Sequence, residues 1–186
     1  MLRLHLETAF IIMLTLFSSH AWGWGGSYDP LLLRAQASIY PKIILLDQKL
    51  TEKTNNNNVL ISIVTTEQSN RIAEQLKALI NKKYNNTLGN NKLTINIITF
   101  NEIQESPVAT AYIAMEAREA SFKKLVSHAS DHGRIVFSYN YTDFKYNALI
   151  SLHVKEKTYI YFNKTAVQLY NIKFMPIFYK IIKIIE

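Results

Sequence analysis

Cysteine is absent from the 186-residue sequence, and glycine is scarce. Without cysteine, the chain can form no disulfide, no thiolate metal site and no cysteine nucleophile. Three of its five glycines stand together within Trp22–Ser27, which leaves only Gly89 and Gly133 for the rest of the chain. Phosphate-binding loops need several glycines between a strand and a helix. The sequence therefore excludes a P-loop and a dinucleotide-binding fingerprint.

Acidic residues are outnumbered, since 14 Asp and Glu against 21 Lys and Arg give a formal charge of +7. The mean hydropathy of -0.02 is too high for an intrinsically disordered chain and too low for a polytopic membrane protein. The length predicts one domain that can bury a core without disulfides.

The amino terminus has the pattern of an export signal. Arg3 stands in a short polar start, Thr8–Phe17 is apolar, and Ser19-His20-Ala21 offers small residues at a cleavage site. We expect residues 1–21 to be a signal peptide cleaved near Ala21, with an uncleaved anchor as the alternative. A basic protein that is exported is not expected to bind nucleic acid. Its expected partners are lipid headgroups, acidic glycans and small anions.

Residues 22–28 are predicted to be a flexible lead, and a helix is predicted to begin at Asp29-Pro30. An acidic cap with proline at the first helical position is typical of a helix start. Pro41 is expected to kink or break this apolar helix near Tyr40. Apolar residues at a 3.6-residue period predict two further helices, over Ile72–Tyr84 and Phe122–Ala129.

Short apolar, β-branched runs predict strands. They cover Val59–Thr65, Leu93–Phe100, Val108–Met115, Arg134–Tyr139, Ala148–Val154 and Thr158–Phe162. The last two are expected to form a hairpin around Lys155-Glu156, after which Asn163 caps a short helix. This alternation predicts one three-layer α/β domain over residues 29–186. It has a mainly parallel central sheet flanked by helices, with a C-terminal β-β-α unit.

Two stretches, Leu31–Asp47 and Arg134–Ile184, resemble the YfiR family of small periplasmic regulators. The resemblance consists of the basic-Ala pair Arg34-Ala35 and the hairpin pattern from Lys157 to Phe162-Asn163, followed by a short helix and an apolar terminal helix. It implies a regulator that binds the periplasmic domain of an inner-membrane signalling protein, a diguanylate cyclase or a histidine kinase. It also draws attention to Lys157 and Asn163 as partner-binding residues. The disulfide control known in that family cannot apply to a chain without cysteine.

Polar side chains follow the predicted strands at their carboxyl ends. They are Thr65, Thr66, Glu116, Ser138, Tyr139, Asn140 and Tyr141. Ligands of open α/β sheets bind at this edge, so these side chains are candidates for holding a small polar ligand. The alternative is that the hydroxyls and amides only cap helices and turns.

Arg34 is a charged residue in an otherwise apolar helix, where an unpaired charge would be expensive to bury. Three interpretations stay open. The side chain extends to solvent, pairs with an internal acid such as Glu116 or Asp143, or binds an anionic ligand.

His128 and His132 have zinc-compatible spacing, but no third ligand is evident, so structural roles are expected for them. No G-x-S-x-G motif is present. We therefore expect neither metal nor cofactor, and no enzymatic activity.

The sequence as a whole predicts a non-enzymatic regulator or sensor in the periplasm, with a homodimer left open. The alternatives are a ligand-binding protein that serves a transporter and a small envelope hydrolase.

Overall fold

The computed structural model describes residues 28–116 and 118–185. The predicted signal peptide, residues 1–21, and residues 22–27 of the predicted lead lie outside this part. Tyr28, the last residue of that lead, packs its ring against Tyr139 and so belongs to the folded domain. Across the described ranges, no helix is both long enough and apolar enough to span a bilayer.

Helices and strands alternate along the chain, largely as predicted. In order, the structure forms α1 (Pro30–Ile44), α2 (Leu50–Lys53), β1 (Asn58–Thr65), α3 (Asn70–Tyr84), β2 (Thr87–Leu88), β3 (Asn91–Thr99), β4 (Ala111–Ala114), α4 (Glu119–Asp131), β5 (Ile135–Ser138), β6 (Ile150–Val154), β7 (Thr158–Asn163), α5 (Lys164–Tyr170) and β8 (Ile182–Ile185). Short 3₁₀ turns occupy Tyr141–Tyr146 and Phe178–Lys180. The predicted strands are all present: β4, β5 and β6 are shorter than predicted, and β1, β3 and β7 are each one residue longer.

The strands form one sheet in the order β2-β3-β1-β4-β5-β6-β7-β8. The five strands from β3 to β6 in this order are parallel to one another, while β2 runs antiparallel to β3 and β7 runs antiparallel to β6. The predicted hairpin of β6 and β7 is therefore confirmed. Strand β8 pairs parallel to β7 and forms the outer edge.

Helices cover both faces of the sheet. Helix α3 connects β1 to β3 in one direction and packs on those strands, whereas α4 connects β4 to β5 in the other direction and packs on them. Because both crossovers of a parallel sheet are right-handed, the two helices lie on opposite faces. Helix α1 packs beside α3. The predicted three-layer α/β architecture is confirmed.

Pro41 lies inside α1, and the helix continues past it to Ile44, so the predicted break near Tyr40 does not occur. Proline removes one helical hydrogen bond and crowds the preceding turn. Tyr40, Ile43 and Ile44 are nevertheless almost completely buried. The packing of this face stabilises the helix across the proline.

The terminal segment departs from the prediction. The resemblance implied an apolar helix after Pro176, but the chain forms a 3₁₀ turn and then β8. Ile160 and Phe162 of β7 lie opposite Ile182 and Ile184. A free edge of β7 offers a row of unpaired backbone groups, and pairing with β8 satisfies them.

Candidate functional site

The direction in which successive strands are added to the sheet reverses between the neighbouring parallel strands β1 and β4. The connection after β1 leads to one side, and the connection after β4 leads to the other. Such a reversal opens a crevice outside the carboxyl ends of the two strands, which is where open α/β sheets bind ligands. Thr66 follows β1 and Glu116 follows β4, so both lie at this crevice.

The Glu116 carboxylate is held by two hydroxyl groups. Thr66 Oγ1 donates to Glu116 Oε2 over 2.8 Å, and Ser69 Oγ donates to the same oxygen over 2.6 Å. The hydrogen bond from Ser69, and then that from Thr66, lower the pKa of Glu116 below its ordinary value. Because its pKa is lowered, the Glu116 carboxylate is ionised at neutral pH. Because the side chain is only partly buried, the carboxylate is also accessible to solvent.

Tyr28 closes one side of the crevice. Its hydroxyl donates to Ser69 Oγ over 3.0 Å, and its ring meets the ring of Tyr139 edge to face at 4.7 Å between centroids. The Tyr139 hydroxyl accepts a hydrogen bond from the backbone N–H of Asp29 over 2.7 Å. Burial raises the pKa of both tyrosines, so both are protonated at neutral pH. Tyr28 thus packs its ring on Tyr139 and directs its hydroxyl to Ser69, which in turn donates to Glu116.

Two of the predicted residues have structural partners close to the crevice. Thr65 is buried, and its hydroxyl donates to the carbonyl of Thr66 over 3.2 Å. Ser138 is buried, and its hydroxyl donates to the Asp143 carboxylate and to the carbonyl of Asn140. These bonds order the turns that follow β1 and β5, as the capping alternative expects.

The remaining predicted residues lie away from Glu116. Asn140 is exposed, and Tyr141 stacks edge to face on His153 at 5.2 Å between centroids. Lys157 is exposed in the β6–β7 turn, several strands from the crevice. Asn163 ends β7, where it caps α5 by accepting from the Ala166 N–H over 3.0 Å. The structure does not bring these four together with Glu116.

A groove of about 640 Å³ runs between α1 and α3 and has Tyr28 as one wall. Arg34 lines it together with two cations that the sequence analysis did not single out, Arg71 and Lys82. Arg34 is exposed, and the ion pairs of the described residues are Lys53–Asp47 and Lys123–Glu119. Of the three interpretations of Arg34, pairing with Glu116 or Asp143 is therefore excluded, while extension to solvent and binding of an anion remain.

A smaller cavity of about 280 Å³ lies outside the carboxyl ends of β1 and β3. Glu102 is at its rim and accepts from the Thr99 N–H over 2.7 Å and from the Thr99 hydroxyl over 2.8 Å. These two bonds lower the pKa of Glu102.

His128 and His132 both have partners within their own region. His128 Nε2 lies 3.0 Å from the Tyr112 hydroxyl, and His132 Nδ1 lies 2.8 Å from the carbonyl of His128 in the last turn of α4. Burial, and then the proximity of His132, lower the pKa of His128. The described residues contain no cluster of three or more potential metal ligands.

Comparison with family models and with curated proteins gives no match. Among solved structures, a conserved domain protein of Vibrio cholerae is similar, with a TM-score of 0.56 and 12% identity over 83% of this chain. The ABC domain of Streptococcus pneumoniae in complex with L-Trp has a TM-score of 0.57, also at 12% identity over 83% of this chain. This chain spans about 60% of the length of each. The chain thus shares the α/β fold of these two proteins.

Proposed function

We propose that the protein is a non-enzymatic small-ligand-binding protein whose site is the crevice at the carboxyl ends of β1 and β4. One observation carries the proposal, the ionised and accessible carboxylate of Glu116 at the point where the chain reverses through the sheet. Thr66 and Ser69 hold this carboxylate in place, so it can accept from a ligand without first being ordered.

The surroundings of Glu116 define the ligand class. A carboxylate binds an ammonium or hydroxyl donor, and the rings of Tyr28 and Tyr139 favour a flat aromatic body beside it. L-Trp, which the similar domain of Streptococcus pneumoniae binds, carries both an ammonium group and an aromatic ring. We therefore propose a small aromatic amine or amino acid as the ligand.

Calorimetric titration with L-Trp, tyramine and 4-hydroxyphenylacetate tests the proposal. Tyramine and 4-hydroxyphenylacetate share a phenol ring and carry opposite charges, so binding through Glu116 should favour tyramine. Glu116→Gln keeps acceptors for Thr66 and Ser69 but removes the charge. It should weaken binding about 10- to 100-fold, the worth of a hydrogen bond to a charged group.

Glu102→Gln is the matched control, since Glu102 is also a carboxylate held by a threonine at this edge of the sheet. It should leave binding unchanged. Equal weakening by both substitutions, or no saturable binding of either aromatic amine, would contradict the proposed site.

A second function is favoured by the distribution of exposed apolar side chains. Of nine such large side chains in the described chain, six lie between Leu169 and Ile184. They are Leu169, Met175, Ile177, Tyr179, Ile181 and Ile184. Apolar surface of this kind is typical of a protein interface. We propose that this C-terminal surface binds the outer domain of a membrane signalling protein, a cyclase or a histidine kinase, in the periplasm after cleavage near Ala21.

Ile177→Asp tests this interface, because Ile177 is 51% exposed and a charge there should not disturb the core. Capture of a diguanylate cyclase or histidine kinase from the membranes of the source organism should be lost in this variant. Leu31→Asp, at an exposed apolar residue outside the surface, should retain it. Failure to capture either class of protein would refute the regulator function and leave ligand binding unaffected.

A further inference from the structure

The groove between α1 and α3 is a second concave site, separate from the Glu116 crevice. Its volume of about 640 Å³ lies in the range of small-molecule sites. Helix α1 contributes Pro30, Leu33 and Arg34, and α3 contributes the larger share of the walls. Tyr28 lines the groove and donates to Ser69, whereas Glu116 is not among the residues that line it.

The polar side chains of the groove are cationic or neutral. Arg34, Arg71 and Lys82 all line it, and none of the described lining residues is acidic. The three cations make no hydrogen bond or ion pair with the described residues, apart from those within the helix backbone. Three positive charges that face one cavity repel one another, and a bound anion would relieve this repulsion.

The floor of the groove is apolar. Leu33 is buried at its base, and Ile72 and Leu79 are half-buried along α3. Pro30 and Ala78 add further apolar surface. A ligand made only of charge would leave this surface exposed to water, whereas one with an apolar body would cover it. Each methylene buried there should tighten binding about fourfold.

We propose that the groove binds a small amphipathic anion, a carboxylate or phosphate joined to an apolar chain or ring. Arg34, Arg71 and Lys82 hold the anionic group, and Leu33, Ile72 and Leu79 contact the apolar body. This site goes beyond the proposed aromatic amine site and does not rest on it. The ligand charge it requires is opposite to the charge that Glu116 favours.

Calorimetry with the full chain tests the proposal, with octyl phosphate as the probe below the concentration at which it forms micelles. We expect saturable binding of one molecule per chain, weakened by added salt because the groove is open to solvent. Octyltrimethylammonium has the same chain and the opposite charge and should not bind. Inorganic phosphate, which lacks the chain, should bind at least about tenfold more weakly.

Single substitutions locate the site. Arg34→Ala, Arg71→Ala and Lys82→Ala should each weaken octyl phosphate binding about three- to tenfold, and Arg71→Lys should retain most of the affinity. Lys83→Ala is the matched control, because Lys83 is the next residue of α3 and does not line the groove. Glu116→Gln should leave octyl phosphate binding unchanged, which separates this site from the crevice. Unchanged unfolding midpoints show that each variant folds.

Three results would overturn the proposal. One is equal binding of octyl phosphate and octyltrimethylammonium, which would reveal non-specific apolar adsorption. Another is equal loss in Lys82→Ala and Lys83→Ala. The third is binding of phosphatidylglycerol vesicles, lost in Arg34→Ala, without any binding of free octyl phosphate. That result would assign the groove to a membrane surface instead.

Discussion

Asp143 shows how a single buried residue sets a pH dependence. Its side chain lies in the 3₁₀ turn after β5, only 7% exposed, and accepts a hydrogen bond from the Ser138 hydroxyl. Burial raises the pKa of Asp143, and the bond from Ser138 opposes that rise only in part. The folded protein therefore holds a proton at this carboxyl group more tightly than the unfolded chain does.

A raised pKa in the folded state has a definite sign in stability. The stabilisation by protonated Asp143 is fully present below the unfolded pKa of about 3.9 and is lost as the pH rises through the folded pKa. Asp143→Asn mimics the protonated form at every pH and should remove this loss. In urea unfolding, the variant should therefore gain stability relative to the wild type as the pH rises above about 4.

Glu102→Gln provides the control of opposite sign. The bonds from Thr99 lower the pKa of Glu102, so its stabilising contribution is present above the unfolded pKa and is lost as the pH falls. This variant should lose stability relative to the wild type as the pH rises toward the unfolded pKa of about 4.3, and the difference should stay constant at higher pH. A parallel pH dependence of the wild type and both variants would contradict both assignments.

At the scale of helices and turns, asparagine provides the unusual backbone conformations. All six non-glycine residues with positive φ in the described chain are asparagines: Asn56, Asn57, Asn85, Asn86, Asn147 and Asn171. Asn85 ends α3 and Asn171 ends α5, both in the left-handed region. Asparagine enters this region more easily than most residues. The abundance of asparagine thus compensates for the scarcity of glycine.

Asn85→Ala should destabilise the fold by about 1 kcal/mol, because alanine has to adopt a left-handed conformation at φ 48°. Asn81→Ala, one turn earlier inside α3, should instead stabilise it by a few tenths of a kcal/mol, since alanine is the better helix former. Asn85→Gly should cost nothing. Urea unfolding of the three variants measures these differences, and equal effects at both positions would refute the conformational explanation.

Elements that depend on local chemistry could be predicted from the sequence. The caps at Asp29 and Asn163 were predicted from the residues alone, because the partners of a cap lie two or three residues away. Strand β8 could not be predicted in this way, because its partner β7 lies about twenty residues earlier in the chain. Pro41 indicated a break, but the burial of Tyr40 outweighed the lost hydrogen bond.

The candidate sites were likewise predictable where the signal is local in the sequence and not where it depends on the tertiary structure. Thr66 and Glu116 were predicted because each directly follows a strand, but Tyr28 was missed because it follows a glycine-rich stretch. For Arg34 the sequence left three interpretations open, and the structure places it exposed at the groove, away from the internal acids. Arg71 and Lys82 could have been recognised, since a spacing of eleven residues places two side chains on one helix face.

At the scale of the molecule, one core joins both faces of the sheet. Leu76 on α3 and Leu125 on α4 are fully buried on opposite sides of it, and both belong to a single cluster that includes the central strands. Strands β1, β4 and β5 are buried along almost their whole length. Neither helical layer can keep its apolar face covered without the sheet, so the described domain should unfold as one unit.

Leu76→Ala and Leu125→Ala test this unity from the two faces. Each deletes a fully buried side chain and should destabilise the domain by about 2–5 kcal/mol through lost burial and the cavity that remains. Because the core is continuous, both variants should shift the whole urea transition to a lower midpoint without changing its slope. Far-ultraviolet circular dichroism and tyrosine fluorescence should report the same curve. A second transition in one variant alone would show that the layer it disrupts unfolds separately, so that the sheet does not couple the α3 face to the α4 face.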